Sequence, residues 1–205
     1  MEELLKYAEK LSIADPGLLA EKLETYLRLL LEWNEKFNLT SITEPKDVWI
    51  KHFLDSLTIL EAIPKNAKKI IDIGSGAGFP GIVVALVRPD IDMTLIEAIG
   101  KKVKFLEEVI TVLEIKNAKA VNGRAEILNK ERHYREKYDV ALARAVALLP
   151  VLWRYAEPLL KKGGILIAQK KSGGSKEIEK SLISKVIPIN IPSLPNHELV
   201  VIEKL

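Results

Sequence analysis

The stretch Ile70-Ile71-Asp72-Ile73-Gly74-Ser75-Gly76-Ala77-Gly78-Phe79-Pro80-Gly81 constrains this chain more than any other. An apolar run carrying one acid breaks into four glycines within eight positions. β-Branched residues suit a strand buried on both faces, and glycine permits positive φ and close approach of a ligand to the backbone. Helix-compatible apolar residues return from Gly81 to Arg88. Strand, glycine turn and helix, in that order, open a nucleotide-binding α/β unit. A turn without a ligand fits less well, because four glycines weaken a fold that makes no use of them.

Two ligands compete for this turn. Gly76-Ala77-Gly78-Phe79-Pro80-Gly81 matches the G-x-G-x-x-G pattern of dinucleotide enzymes, in which N–H groups at a helix start hold a pyrophosphate. Pro80 removes one such donor, and Asp72 sets a carboxylate close to the two phosphates. Shifted by two residues, the stretch runs Asp72-x-Gly74-x-Gly76-x-Gly78, an acid before alternating glycines. That arrangement suits a ligand with a cationic amino-acid end. S-adenosylmethionine, with an ammonium and a sulfonium, is the expected cofactor.

At 205 residues the chain can bury one α/β core plus a small extension. No apolar run reaches the length of a membrane span, and the acidic, amphipathic N-terminus is unlike a signal peptide, so a cytoplasmic protein is expected. The lack of cysteine excludes disulfides, thiolate metal sites and cysteine nucleophiles. His52, His133 and His197 are too scattered to suggest a metal site. Abundant Lys, Glu and Ile with a single glutamine, Gln169, follow the compositional trend of heat-adapted proteins. A formal charge of +3 permits nucleic-acid binding without arguing for it.

The N-terminal third is helical. A short amphipathic helix is expected at residues 1–10. Asp15-Pro16 supplies an N-cap and a first-turn proline, and Leu19, Leu23, Tyr26, Leu27, Leu30 and Phe37 then recur at helical spacing. Asn38-Leu39-Thr40-Ser41 ends that helix, and Pro45 opens another over 47–62. Residues 1–66 are therefore expected to form a helical cap, packed as one structural unit on a domain at 67–205. In that domain strands are expected at 69–73, 92–96, 118–122, 138–144 and 164–169, with helices at 81–87, 101–113, 125–130 and 149–160. Such alternation gives a mostly parallel, Rossmann-like sheet covered on both faces. Segments 184–191 and 198–203 are β-rich and joined by a turn, and a terminal antiparallel pair fits methyltransferases better than dehydrogenases.

Ligands of such sheets sit at the carboxyl ends of the strands. The first strand delivers Asp72 and the glycines Gly74, Gly76 and Gly78. The second delivers Glu97, suited to ribose hydroxyls in either cofactor. After the third come Ala125 and Glu126, which could line an adenine pocket, although an acid in a first helical turn also complements the helix dipole. The fourth ends at Arg144, expensive to bury without a partner and hence a site candidate. Two absences narrow the chemistry. Methylation at C5 of a pyrimidine requires a cysteine adduct, and the Asn/Asp-Pro-Pro-aromatic motif of exocyclic-amine methyltransferases is replaced by Arg144-Ala145-Val146-Ala147. A ring nitrogen with its own lone pair needs no base.

The matching residues are Asn38-Leu39-Thr40, His52-Phe53-Leu54-Asp55-Ser56-Leu57, the glycine turn ending Phe79-Pro80-Gly81, Lys101-Lys102-Val103-x-Phe105-Leu106, Arg124-Ala125-Glu126, Arg144-Ala145 and Leu199-Val200-Val201-Ile202. Over nearly its full length the chain resembles the bacterial 16S rRNA (guanine-N7)-methyltransferase family, also called glucose-inhibited division protein B. The resemblance implies a Rossmann-like methyltransferase acting on a guanosine in the decoding-region loop of 16S rRNA, free or within a small-subunit particle. It also implies donor contacts at Gly74, Phe79, Ala125, Glu126 and Arg144. His197 departs from the family, which often has arginine there.

Lys101, Lys102, Arg124, Lys170 and Lys171 fall with Arg144 at the carboxyl rim, where RNA phosphates are their natural partners. His52 and Asp55, three residues apart on one helix face, are expected to buttress the cap against the domain, with RNA contact as the alternative. No catalytic acid or base is assigned; Arg144 is the candidate, and a positioning mechanism is expected. The chain is expected to act as a monomer. Alternatives from other classes are a small-molecule methyltransferase, a nicotinamide oxidoreductase and a non-catalytic RNA-binding module.

Overall fold

Asp15 accepts a hydrogen bond from Leu18 N at 2.8 Å, and Pro16 takes the first helical position, so the long N-terminal helix starts at its sequence signal. In the computed structural model, which describes residues 1–205, α1 spans Glu2–Lys10 and α2 spans Pro16–Lys36. Leu19, Leu23, Tyr26, Leu27 and Leu30 form the buried face of α2, whereas Phe37 lies just past its end in extended backbone. Pro45 opens α3, Pro45–Val48, which widens into a π-helical segment, Trp49–Leu54, before α geometry returns in α4, Asp55–Thr58. π-Helical turns cluster at functional sites, and this one carries His52.

The α/β part comprises β1 (Lys69–Ile73), α5 (Gly81–Val87), β2 (Asp92–Glu97), α6 (Gly100–Val112), β3 (Ala118–Asn122), α7 (Ala125–Leu128), β4 (Tyr138–Arg144), α8 (Leu149–Ala156), β5 (Leu160–Lys171), β6 (Lys185–Ile189) and β7 (His197–Glu203). One seven-stranded sheet has the order β3-β2-β1-β4-β5-β7-β6. β1 to β5 are parallel, and β7 runs antiparallel to both β5 and β6. Several boundaries shift by one or two residues from the sequence expectation, and two shift by four. α8 stops at Ala156, ahead of Pro158, which has no N–H to continue it, and β5 begins at Leu160, four residues before Gly164.

Side chains alternate between two cores. Ile70, Val140, Leu142 and Ile167 face the one shared with α1 to α6, while Ile71, Ile73, Ala141, Ala143 and Leu166 face the one shared with α7 and α8. The N-terminal helices thus pack on one face of the sheet. Tyr26, fully buried on α2, donates its hydroxyl to Ala77 O in the glycine turn. Gly78 makes that contact possible: its φ is +91°, and a Cβ there would overlap Tyr26 Oη and stand 2.7 Å from Ile82 Cγ1. Gly78→Ala is expected to cost about 2–3 kcal/mol of stability from left-handed backbone and overpacking, measured as a shift in urea midpoint with unchanged slope. No helix is long and apolar enough to cross a membrane.

Candidate active site

The strand order reverses between β1 and β4, and a crevice opens there at the carboxyl ends. On its β1 side, Ser75 N bonds to Ile96 O at 2.9 Å and Phe79 N to Ser75 O at 3.1 Å, fixing the turn. Asp72 is fully buried, and its Oδ2 accepts the Gly81 N–H at 3.0 Å. The acid therefore occupies the helix start where a pyrophosphate would lie. Its Oδ1 has no partner. Burial pushes its carboxyl up to about 6, opposed chiefly by the Gly81 hydrogen bond. A Cβ on Gly76 would meet nothing nearer than Gly74 O at 3.9 Å, so space is open in front of it. A Cβ on Gly74 would stand 2.9 Å from Val146 Cγ2, which covers that end of the turn.

Glu97, at the end of β2, accepts Gly76 N–H at 2.9 Å on Oε2 and Ile99 N–H at 2.8 Å on Oε1. Both oxygens keep a lone pair for a diol. Ala125 is buried at the start of α7, and Glu126 beside it pairs with Arg124 at 3.6 Å. Ile99 and Val146, 51% and 37% exposed, flank this region and were missed by the sequence reading. The available signal was an isoleucine at the N-cap of α6, where a polar residue is usual. An orphaned buried carboxylate oxygen, an open glycine, a pre-oriented second acid and apolar flanks fit a ligand with a cationic end, a ribose and a flat base. Of the expected glycines, Gly76 faces this space, Gly74 faces Val146 at its edge, and Gly78 faces Tyr26.

Arg144 ends β4 and holds the opposite wall. Its Nη1 donates to Lys51 O and to Asp55 Oδ2, each at 3.0 Å, and Nη2 bonds to His52 Nδ1 at 3.0 Å. The guanidinium lies 5.2 Å from the centre of the Phe79 ring, and His52 stacks on the same ring at 4.4 Å and 14°. Burial, then Arg144, lowers His52 to about 4, so the ring is neutral near pH 7 and accepts from Arg144. Nε2 is then the protonated nitrogen, donating to Thr40 Oγ1 at 2.9 Å. Asn34 Oδ1 in turn accepts Leu39 N–H and Thr40 N–H, at 2.8 and 2.9 Å. The Asn38-Leu39-Thr40 and His52 motifs thus join the helical layer to Arg144. Asp55 Oδ1 stands 3.5 Å from His197 Nδ1 and raises that histidine.

Beside Arg144 a cavity of about 660 Å³ opens between α4, the ends of β5 and β7, and the 193–195 turn. The rim cations are not equivalent. Lys101 is exposed, with its ammonium 4.7 Å from the Phe37 ring centre; Lys102 is half-buried and Lys171 is exposed. Arg124 is exposed but paired with Glu126. Lys170 departs from the expected free cation: it donates to Ala147 O at 2.9 Å and pairs with Glu177 at 2.7 Å, so its charge is neutralised within the chain.

A family model described as rRNA small subunit methyltransferase G matches residues 19–198. The chain belongs to that family. It is 45% identical over 173 residues to the Ribosomal RNA small subunit methyltransferase G of Desulfitobacterium hafniense, covering 84% of this chain and 72% of that one. With the protein of the same name from Caldanaerobacter subterraneus subsp. tengcongensis it shares 43% identity, over 100% of this chain and 90% of that one. The fold is also that of MtNAS, a mutant of which in complex with S-adenosylmethionine aligns with a TM-score of 0.58 at 13% identity, over 98% of this chain and 77% of that one. Family membership makes the protein a methyltransferase and favours the acid-glycine reading of the turn over the dinucleotide one.

Proposed function

We propose that this enzyme transfers the methyl group of S-adenosylmethionine to N7 of a guanosine in the decoding-region loop of 16S rRNA, acting as a monomer in the cytoplasm. The observation that carries the choice of atom is that the acids and histidines around the crevice are already engaged, His197 by Asp55 among them. Asp55 is engaged by Arg144, Glu97 by two backbone N–H groups, Glu126 by Arg124, and Asp72 is sealed beneath the turn. Neutral His52 spends Nδ1 on Arg144 and Nε2 on Thr40. Guanine N7 presents an in-plane lone pair at neutral pH, so no proton has to be removed before attack.

When bound, S-adenosylmethionine supplies an electrophilic methyl group on its sulfonium. Asp72, Gly74, Gly76 and Phe79 would hold the amino-acid end, and Glu97, Ala125 and Glu126 the adenosine end. N7 gains a bond to carbon as the carbon–sulfur bond breaks, and the positive charge moves to the base. Arg144 would oppose that charge if it were bare; paired with Asp55, it shapes the crevice without doing so. Lys101, Lys102, Arg124 and Lys171 would meet RNA phosphates, adding affinity without sequence choice.

Labelled donor and 16S rRNA, followed by mapping of the label, test the substrate. With a methylated guanosine located, single-turnover rates at saturating donor and RNA are expected to show no tenfold-per-unit rise from about pH 6 to 9. His52 stays neutral throughout that window. A rate rising tenfold per pH unit would show that a base is required and that N7 is the wrong atom.

A further inference from the structure

Four buried side-chain polar atoms have no partner: Asp72 Oδ1 in the glycine turn, and Gln169 Oε1, Ser193 Oγ and His197 Nδ1. The last three all belong to residues lining the cavity beside Arg144. Asp55 Oδ1 faces His197 Nδ1 at 3.5 Å, which leaves Gln169 Oε1 and Ser193 Oγ with nothing opposite them; folded proteins pair nearly all such atoms, so two on one cavity call for a polar ligand. Gln169 decides what kind. It is 7% exposed, and its Nε2 donates to Asp55 O at 2.7 Å and to Thr58 Oγ1 at 3.2 Å. A flipped amide would set oxygen against oxygen, so Oε1 is held as an acceptor. His197 turns Nδ1 to Asp55, which favours its protonated form and leaves Nε2–H as the second donor, and Ser193 can serve either way. Ile42, Ile189, Leu194 and Leu199 supply apolar wall for a flat ring, and Lys171 stands exposed at the edge.

Guanine is the base that offers N–H donors at N1 and N2 beside a carbonyl at O6. We propose that the cavity receives the target guanosine with its Watson–Crick edge inward, Gln169 Oε1 accepting from the N1–H/N2–H pair and His197 donating to O6. N7 is then left on the edge away from these groups, free for methylation. Adenine would set its N1 lone pair against Gln169 Oε1 and is rejected. The target must leave its stack to enter, as in other enzymes that act on bases. Gln169 and His197 are specificity residues; they take no part in the transfer itself.

This assignment rests on the guanine-N7 reading, and its test separates the two. RNA fragments carrying guanosine or 2-aminopurine at the mapped position are compared under kcat/KM conditions. 2-Aminopurine retains N7 but lacks O6 and the N1 proton. The parent enzyme is expected to disfavour it by about a hundredfold or more, because buried polar groups are left unpaired. In Gln169→Leu the preference should fall below about tenfold while affinity for S-adenosylmethionine stays within about twofold, which also reports that the variant is folded. Ser193→Ala, whose hydroxyl has no partner to lose, should lower kcat/KM for guanosine RNA with an unchanged melting temperature. Equal parent rates on both RNAs, or a Gln169→Leu enzyme with full discrimination, would overturn the pocket assignment alone. No methylation of the guanosine RNA at all would overturn the underlying reading with it.

Discussion

Arg144→Ala is expected to lower stability by about 3 kcal/mol and kcat/KM by about a hundredfold or more. The ion pair it removes is nearly out of water, with side chains 15% and 9% exposed for Arg144 and Asp55. Breaking such a pair from one side typically costs about 3–5 kcal/mol, because the surviving charge is stranded. His197 remains 3.5 Å from Asp55 and offsets part of the loss, which sets the expectation at the lower end. In a domain of this size that is a fall of about 6–12 °C in Tm. The same change releases His52 and Lys51 O and uncovers the ring of Phe79, so the wall between turn and cavity loosens. Arg144→Lys should recover little. One ammonium cannot reproduce a planar fork that meets three acceptors and lies over a ring. Urea unfolding and steady-state rates check both variants. A lysine variant with parental stability and rate would show that only the charge at this position matters.

Arg144 also marks where the sequence stops being legible. Its residue type at the end of a strand otherwise made of Ala and Val announced a site, because a buried guanidinium needs partners. Those partners lie about ninety residues earlier, on a helix whose π-helical turn no periodicity reveals. The sheet was legible for a different reason: β-branched runs alternating with glycine or helical segments specify parallel strands locally, and β1, β3 and β4 begin and end where that pattern places them. β5 was harder, since Lys161-Lys162-Gly163 looks like a turn, yet its backbone extends the pairing with β7 through Gly163 N to Lys204 O at 2.7 Å. Charge was the least legible property of all. Lys170 and Lys171 are adjacent and chemically alike, but strand alternation sends one to Glu177 and leaves the other exposed.

Asp72→Asn is expected to stabilise the free enzyme above pH 7 and to weaken S-adenosylmethionine binding by about a hundredfold. Burial raises the Asp72 carboxyl to about 6 from its ordinary 3.8, so the folded chain holds this proton more tightly than the unfolded one. Its contribution to stability is therefore most favourable below pH 4 and is lost as pH rises through 6, a cost on the order of 3 kcal/mol at neutral pH. Asparagine can still accept from Gly81 N, but its amide N–H₂ inherits the unpartnered position, so the net gain should be about 1–2 kcal/mol at pH 8 and none at pH 4. The parent carboxylate is worth that cost if it serves a cation. At about 5 Å and an effective dielectric near 20, a charge behind the turn attracts an ammonium by roughly 3 kcal/mol, hence the hundredfold. Linkage then fixes the pH dependence: donor affinity in the parent should fall about tenfold per pH unit below 6, with a proton taken up on release, while Asp72→Asn binds weakly and without that slope. Calorimetry in two buffers of different ionisation enthalpy separates the proton from the ligand. Parent affinity that stays level from pH 5 to 8 would mean the acid only anchors Gly81, and that the cationic end of the donor is held by something else.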